Sequence, residues 1–184
     1  RSAVSTIAVL GRTRKHLREI AAGLRSAGLR FQAVELETLG ERQAVRDLAA
    51  LTRALCHRDD RVAWFAVLRA PYCGLTLTDL ALLGTGVSER SVSDLLCDQQ
   101  ILARLTNDGR ERLARVTPIL AAALGQFGRR RLAVVVEGTW LALGGPAAVE
   151  ELADLDNARA FFERVAGVEC AGDLDDPADL EELL

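Results

Sequence analysis

Four places in this 184-residue chain carry side chains that could do chemistry. The first is Arg12-Thr13-Arg14-Lys15, a cationic loop between an apolar, β-branched run at residues 6–10 and a helical pattern. Where a strand ends at such a loop and a helix leaves it, open α/β sheets dock anionic ligands. The second is Cys56-His57 with Cys73, three potential metal ligands. Adjacent ligands suit a tetrahedral zinc site poorly, and no fourth ligand stands near them in sequence. The third is Arg129-Arg130-Arg131, the one dense basic run, which suits a phosphate backbone or a solvated helix start equally. The fourth is the acidic group Asp173, Asp175, Asp176 and Asp179. Asp176 as an N-cap, with Pro177 at the first helical position, explains it better than a cation site does.

Other chemistry is excluded. Lys15 is the only lysine and lies between Arg14 and His16, so no Gly-Lys-Ser/Thr phosphate loop exists. The same lack removes a nuclease centre of the kind that pairs two carboxylates with a lysine. Gly84-Thr85-Gly86 lacks a third glycine and follows a helical pattern, so it reads as a turn rather than a dinucleotide fingerprint.

The elements that must position these groups are mostly helices. Residues 6–10 and 31–36 read as short strands, with a helix between them bearing Leu17, Ile20, Ala21 and Leu24 on one face and closing at Gly28. Residues 43–56 repeat Val45, Leu48, Leu51 and Leu55 at helical spacing. Asp59 and Asp60 open the next helix, which is expected to bury Val62, Phe65 and Ala66, with Trp64 at its edge, and to stop before Pro71. Thr76 and Asp79 have the spacing of an N-cap and its reciprocal partner. Ser88 is the expected cap of a helix reaching Leu96. Residues 107–127 keep helical register through Pro118, kinked or split there, and Gly128 closes them. Residues 129–143 mix a β-favouring Val134-Val135-Val136 with a helical repeat of Leu132, Val135, Val136, Trp140 and Leu143; the longer pattern predicts a helix. Two further helices are expected around residues 148–154 and 157–166.

Composition agrees with a folded, helix-rich chain: 49% hydrophobic residues with only 4% aromatic. The net charge of −3 hides an asymmetry. Residues 1–70 hold 13 Lys+Arg against 7 Asp+Glu, and residues 150–184 hold 2 against 12. Solvated helix faces and a charged partner surface both fit that split. The four cysteines form no Cys-x-x-Cys pair, and no signal peptide is visible, so reduced core thiols and a cytoplasmic location are expected. No run approaches the roughly 20 apolar residues of a membrane span.

The order of strand, Arg12, helix, Gly-apolar-aromatic strand and Glu-Arg-x-x-Val-x-Asp resembles the UvrD/RecB-like superfamily 1 DNA helicases. The likeness is to motif IV and the segment after it, at the start of their second RecA-like domain. Its residues are Val9, Leu10, Arg12, Leu24, Gly28, Phe31, Glu41, Arg42, Val45 and Asp47. Gly11 stands where an adenine-stacking aromatic residue often sits, and Ala44 where a glutamate is often found. Residues 140–147, Trp-Leu-Ala-Leu-Gly-Gly-Pro-Ala, are similar to a stretch of exonuclease-type members.

The resemblance implies a mainly α chain with a small β edge: the α/β start of RecA-like domain 2A over residues 1–57, then a helical 2B-like subdomain over 58–184. It implies a fragment of an ATP-dependent DNA helicase or exonuclease of DNA repair and recombination. Arg12 would be its catalytic and cofactor-binding residue, touching the γ-phosphate of ATP. ATP and Mg would belong to the larger protein, with no cofactor for the fragment alone, which would neither hydrolyse ATP nor cut DNA. Gly74, Leu75 and Thr76 match a turn that contacts duplex phosphates in some members, although Cys73 replaces the usual arginine; a plain turn between helices is the other reading. With Arg129, Arg130 and Arg131 they are the expected nucleic-acid contacts. The implied partners are DNA, the remainder of a helicase chain and a helicase-nuclease subunit, with no membrane. The competing expectation is a helical protein-interaction scaffold that docks a partner through its apolar and acidic C-terminal half without touching DNA. No helix pair carries the side chains of a helix-turn-helix reader.

Overall fold

The computed structural model describes residues 7–10, 17, 20–21, 23–24, 26–29, 40, 42–85, 90–149 and 151–171, the side chains of 170 and 171 excepted. The chain divides into two units, Arg1–Thr38 and Leu39–Leu184. In the first, the expected helix closure holds. Gly28 takes φ +68°, Ala27 N–H donates to Gly23 O, and Leu29 N–H donates to Leu24 O.

The second unit is built around α1, Gln43–Cys56. Val45, Leu48, Leu51 and Leu55 are all buried, as their spacing requires. Arg53, in the last turn of α1, bonds Asp60 through Nη2 at 2.7 Å. Asp60 in turn accepts from Ala63 N–H and caps α2, Arg61–Arg69. Burial pushes the Asp60 carboxyl up, but the Ala63 amide and the Arg53 guanidinium outweigh it and hold the group below its ordinary value. One ion pair thus sets the corner between two helices.

α2 buries a different face from the one expected. Ala63, Trp64, Val67 and Leu68 point inward, Val62 is 75% exposed, and Trp64 is fully buried. Both sets of positions have helical periodicity, so spacing alone does not choose between them. Packing against α1 does, because it buries the indole, the largest apolar surface on α2.

After α2 the chain turns at Gly74, φ +72°, into α3, Leu77–Gly84, capped by Thr76. The Thr76–Asp79 cap is as read from sequence. Residues 86–89, and Ser88 with them, lie outside the described residues; Ser91 caps α4, Val92–Leu95. Asp98 caps α5, Gln99–Leu102. Thr106 caps α6, Asn107–Gln126, which runs unbroken through Pro118 and ends before Gly128 at φ +74°. α7, Leu132–Ala142, buries Leu132, Val135, Val136 and Trp140, as the longer pattern requires. Gly144, φ +83°, reverses the chain into the short α8, Gly145–Ala148.

A single helix, α9, Leu152–Ala171, replaces the two expected there. Asp154 and Asn157, which look like cap residues, bond each other on its surface at 3.4 Å instead. α1 packs on α2, α7 and α9, while α7 packs also on α6 and α8. Arg115 of α6 donates to Tyr72 O at 2.7 Å and Leu143 O at 3.3 Å, fastening the loop after α2 to the end of α7.

These observations correct the β edge and the family reading built on it. Every described element is a helix, and no strand is present among the described residues. Residues 7–10 carry no regular structure, and 31–36 lie outside the described residues. A β-branched run is a strand only when neighbouring strands take up its N–H and C=O groups. Described residues whose elements are all helical lack the parallel sheet of a RecA-like domain, so the helicase-fragment reading, with its exonuclease and repair functions, does not stand. Among the described residues, no helix is long and apolar enough to cross a membrane.

Candidate functional site

Those of the singled-out residues that the structure describes lie at the end of α1, in the turn after α2 and just before α7. Arg12, with the whole of residues 11–16, lies outside the described residues. The ATP cleft assigned to it depended on the fold corrected above. The Gly74 N–H donates to Ala70 O at 2.7 Å and the Leu75 N–H to Leu68 O at 2.9 Å. Thr76 Oγ1 donates to Asp79 Oδ2 at 2.8 Å. The donors of this turn therefore point into the protein.

Arg129, Arg130 and Arg131 form the exposed turn entering α7. Arg131 leans on α9, with Nε 3.7 Å from Glu169 Oε2 and Nη2 donating to Ala166 O. Glu169 also accepts the Leu132 N–H at 2.7 Å, capping α7 where its own N-cap residue supplies no side-chain bond. That cap is 37 positions away in sequence.

Cys56 and Cys73 are drawn out of solvent rather than toward a metal. Burial, with Glu169 adding to it, pushes the Cys56 thiol up to about 11. Burial pushes Cys73 up to about 12 against the pull of Arg115. Both are therefore poor nucleophiles at neutral pH. Among the described residues, no group of three His, Cys, Asp or Glu side chains could hold a metal ion.

Two features stand out in their place. The first is the outward face of α7, Leu-Ala-Val-Val-Val-Glu-Gly-Thr-Trp-Leu-Ala. A helix apolar on all sides is ordinarily covered on all sides. Here Leu132, Ala133, Val135, Val136, Thr139 and Trp140 are covered, while Val134 and Leu141 are 49% and 53% exposed. Gly138 lies between them, with nothing within 4 Å of where a Cβ would stand. Glu137 is the only charge on the helix.

The second is a recess of about 160 Å³ lined by residues of α1, the loop after α2, α7, α8 and α9. Its wall includes Trp140, whose indole tilts against Phe162 at 5.7 Å. The chain folds back so tightly at Gly145 that a Cβ there would overlap the indole. Asp47, Gln43, Tyr72 and Asp154 supply the polar lining. Gln43 Nε2 donates to Asp47 Oδ1 at 2.8 Å, and the Tyr72 hydroxyl to Asp47 O at 3.1 Å. Burial raises the Asp47 carboxyl above its ordinary value, and the Gln43 bond offsets only part of that rise. Burial, then the charge of Asp47, pushes the Tyr72 phenol well above its usual range, so it remains a donor.

The recess escaped the sequence reading, where Asp47 and Trp140 entered only as parts of longer motifs. One signal was present: Asp47 falls on the apolar side of α1, four positions from its amide partner Gln43. No protein-family model matches the chain, and comparison with curated proteins finds no match.

Proposed function

We propose that this chain is a helical docking module that receives an amphipathic helix of a partner protein on the outward face of α7, without contact to DNA. The observation that carries this is α7 itself: a strongly apolar helix whose Val134–Gly138–Leu141 face, with Glu137 as its one charge, is left uncovered. Helix-in-groove recognition reads such faces through apolar anchors three and four positions apart, and the bare Gly138 lets a second backbone approach closely. Arg129 and Arg130, exposed at the head of α7, supply a polar rim. The inward-pointing donors of Gly74 and Leu75, and the engagement of Arg131 by α9, support the reading without nucleic acid.

The test is selection of displayed helical peptides against the protein, followed by anisotropy titration of the winners and of a tailed DNA duplex at low salt. The expected outcome is peptides with apolar residues at i, i+3 or i+4 and i+7. Their binding should fall at least about 100-fold in Val134→Asp/Leu141→Asp, the loss of two central anchors, with an unchanged melting temperature. Peptides that bind the double variant equally well, an empty selection, or salt-steep DNA binding would each overturn the reading.

A further inference from the structure

We propose that the recess beside Trp140 binds a guanidinium group, with the Asp47 carboxylate as its counter-charge and the edge of the Trp140 indole as part of its wall. Asp47 is only 9% exposed, yet among the described residues the one hydrogen bond its carboxylate accepts comes from the neutral amide of Gln43. No cation is paired with it among the described residues. A buried carboxylate in that condition is costly, and a cation that enters with hydrogen bonds of its own relieves the cost. The second carboxylate of the lining, Asp154, sits 3.9 Å from Arg42 Nη1, and that same nitrogen lies closer, at 3.3 Å, to Glu151. Among the described residues, the recess lining carries two carboxylates and no cationic side chain.

Shape and rigidity narrow the occupant. A cavity of about 150 Å³ accommodates a benzene ring, so about 160 Å³ has room for a planar guanidinium. The indole cannot swing away easily, since Phe162 backs it and the Gly145 backbone lies hard against it. A narrow recess with a carboxylate that has acceptor capacity to spare favours the flat, forked, weakly hydrated guanidinium over a compact ammonium. Anions meet two carboxylates, and a divalent ion lacks a third ligand among the described residues.

The site is separate from the α7 docking face: Val134 and Leu141 do not line the recess. The group has two possible sources, a free small guanidine or an arginine side chain presented by a protein.

The experiment is a titration of the full chain with methylguanidinium chloride, n-butylammonium chloride and neutral N-methylurea, followed by the two indole N–H signals in nitrogen-edited NMR. Trp140→Phe assigns them. The expected result is a saturable shift of the Trp140 signal alone, tightest for methylguanidinium, weaker for butylammonium and absent for N-methylurea. Asp47→Asn, which keeps the acceptor for Gln43, should weaken guanidinium binding about tenfold, the loss of one charge-assisted hydrogen bond. A single-arginine helical peptide run in parallel identifies the source. Binding tighter than the free ion indicates a presented side chain, and equal binding a small molecule; either supports the assignment. No shift at Trp140, or equal shifts from methylguanidinium and N-methylurea, would overturn it on the unaltered protein, whatever the variant does.

Discussion

Two aspartates withdrawn from solvent face opposite circumstances in the helical unit. Asp79, fully buried, accepts from Thr106 N–H at 2.9 Å, from Thr106 Oγ1 at 2.9 Å and from Thr76 Oγ1 at 2.8 Å. Since Thr76 caps α3 and Thr106 caps α6, this one carboxylate ties two helix starts together. Burial pushes its pKa up, but the Thr106 amide and the two hydroxyls outweigh it and hold the group below the ordinary value. Asp47, buried almost as deeply, has one neutral donor and a raised pKa. The first arrangement is that of a structural joint. The second leaves interaction capacity unused beside a recess, as binding sites do at the expense of stability.

The contrast breaks most visibly at the joint. Asp79→Ala should cost about 3 kcal/mol, three buried hydrogen bonds at about 1 kcal/mol each. Urea unfolding measures it, and a loss under about 1 kcal/mol would mean that the Thr106 and Thr76 donors find other acceptors. Gly109→Ala should cost about 1–3 kcal/mol by overpacking, because a Cβ there would stand 2.6 Å from Asp79 Oδ2. Calorimetric melting that leaves the midpoint unchanged would show a joint looser than described.

The smallest effect is the most diagnostic. Asp47→Asn should alter stability at neutral pH by less than about 1 kcal/mol, or raise it, since it removes a charge that folding disfavours. The pH dependence follows from the signs. For Asp79, with its folded pKa lowered, the stabilisation is complete above the ordinary carboxylate value of about 4 and is lost as pH falls through the folded value. For Asp47, with its folded pKa raised, any stabilisation is present below about 4 and is lost as pH rises through the folded value. Urea midpoints of the wild type and Asp47→Asn, measured from acid to neutral pH, should therefore separate in the variant's favour as pH rises. Curves that separate in the wild type's favour would place Asp47 in the same class as Asp79, and parallel curves would remove the contrast.

Much of the helical skeleton was legible in sequence, and the particulars show why. The phase of α1, the Thr76–Asp79 cap and the closures at Gly28 and Gly128 each depend on residues within about four positions of one another. The failures were of another kind. Residues 6–10 looked like a strand because β-branched side chains favour one, but a strand also needs a partner that no local pattern supplies. The inward face of α2 was misread because both of its possible faces keep helical spacing.

The amino-acid sequence by itself determined that this would be a helix-rich chain without a phosphate loop, with helix starts marked by Asp60 and Thr76 and a left-handed glycine at Gly128. The reason is that propensity, capping and periodicity act over one or two turns. Tertiary structure alone decided that Thr106 would meet Asp79, that Glu169 would cap α7, and that Trp140 would wall a recess containing Asp47. Those pairings join residues 27, 37 and some 90 positions apart. They exist because the helices pack, and the packing is set by how all the buried faces fit together at once.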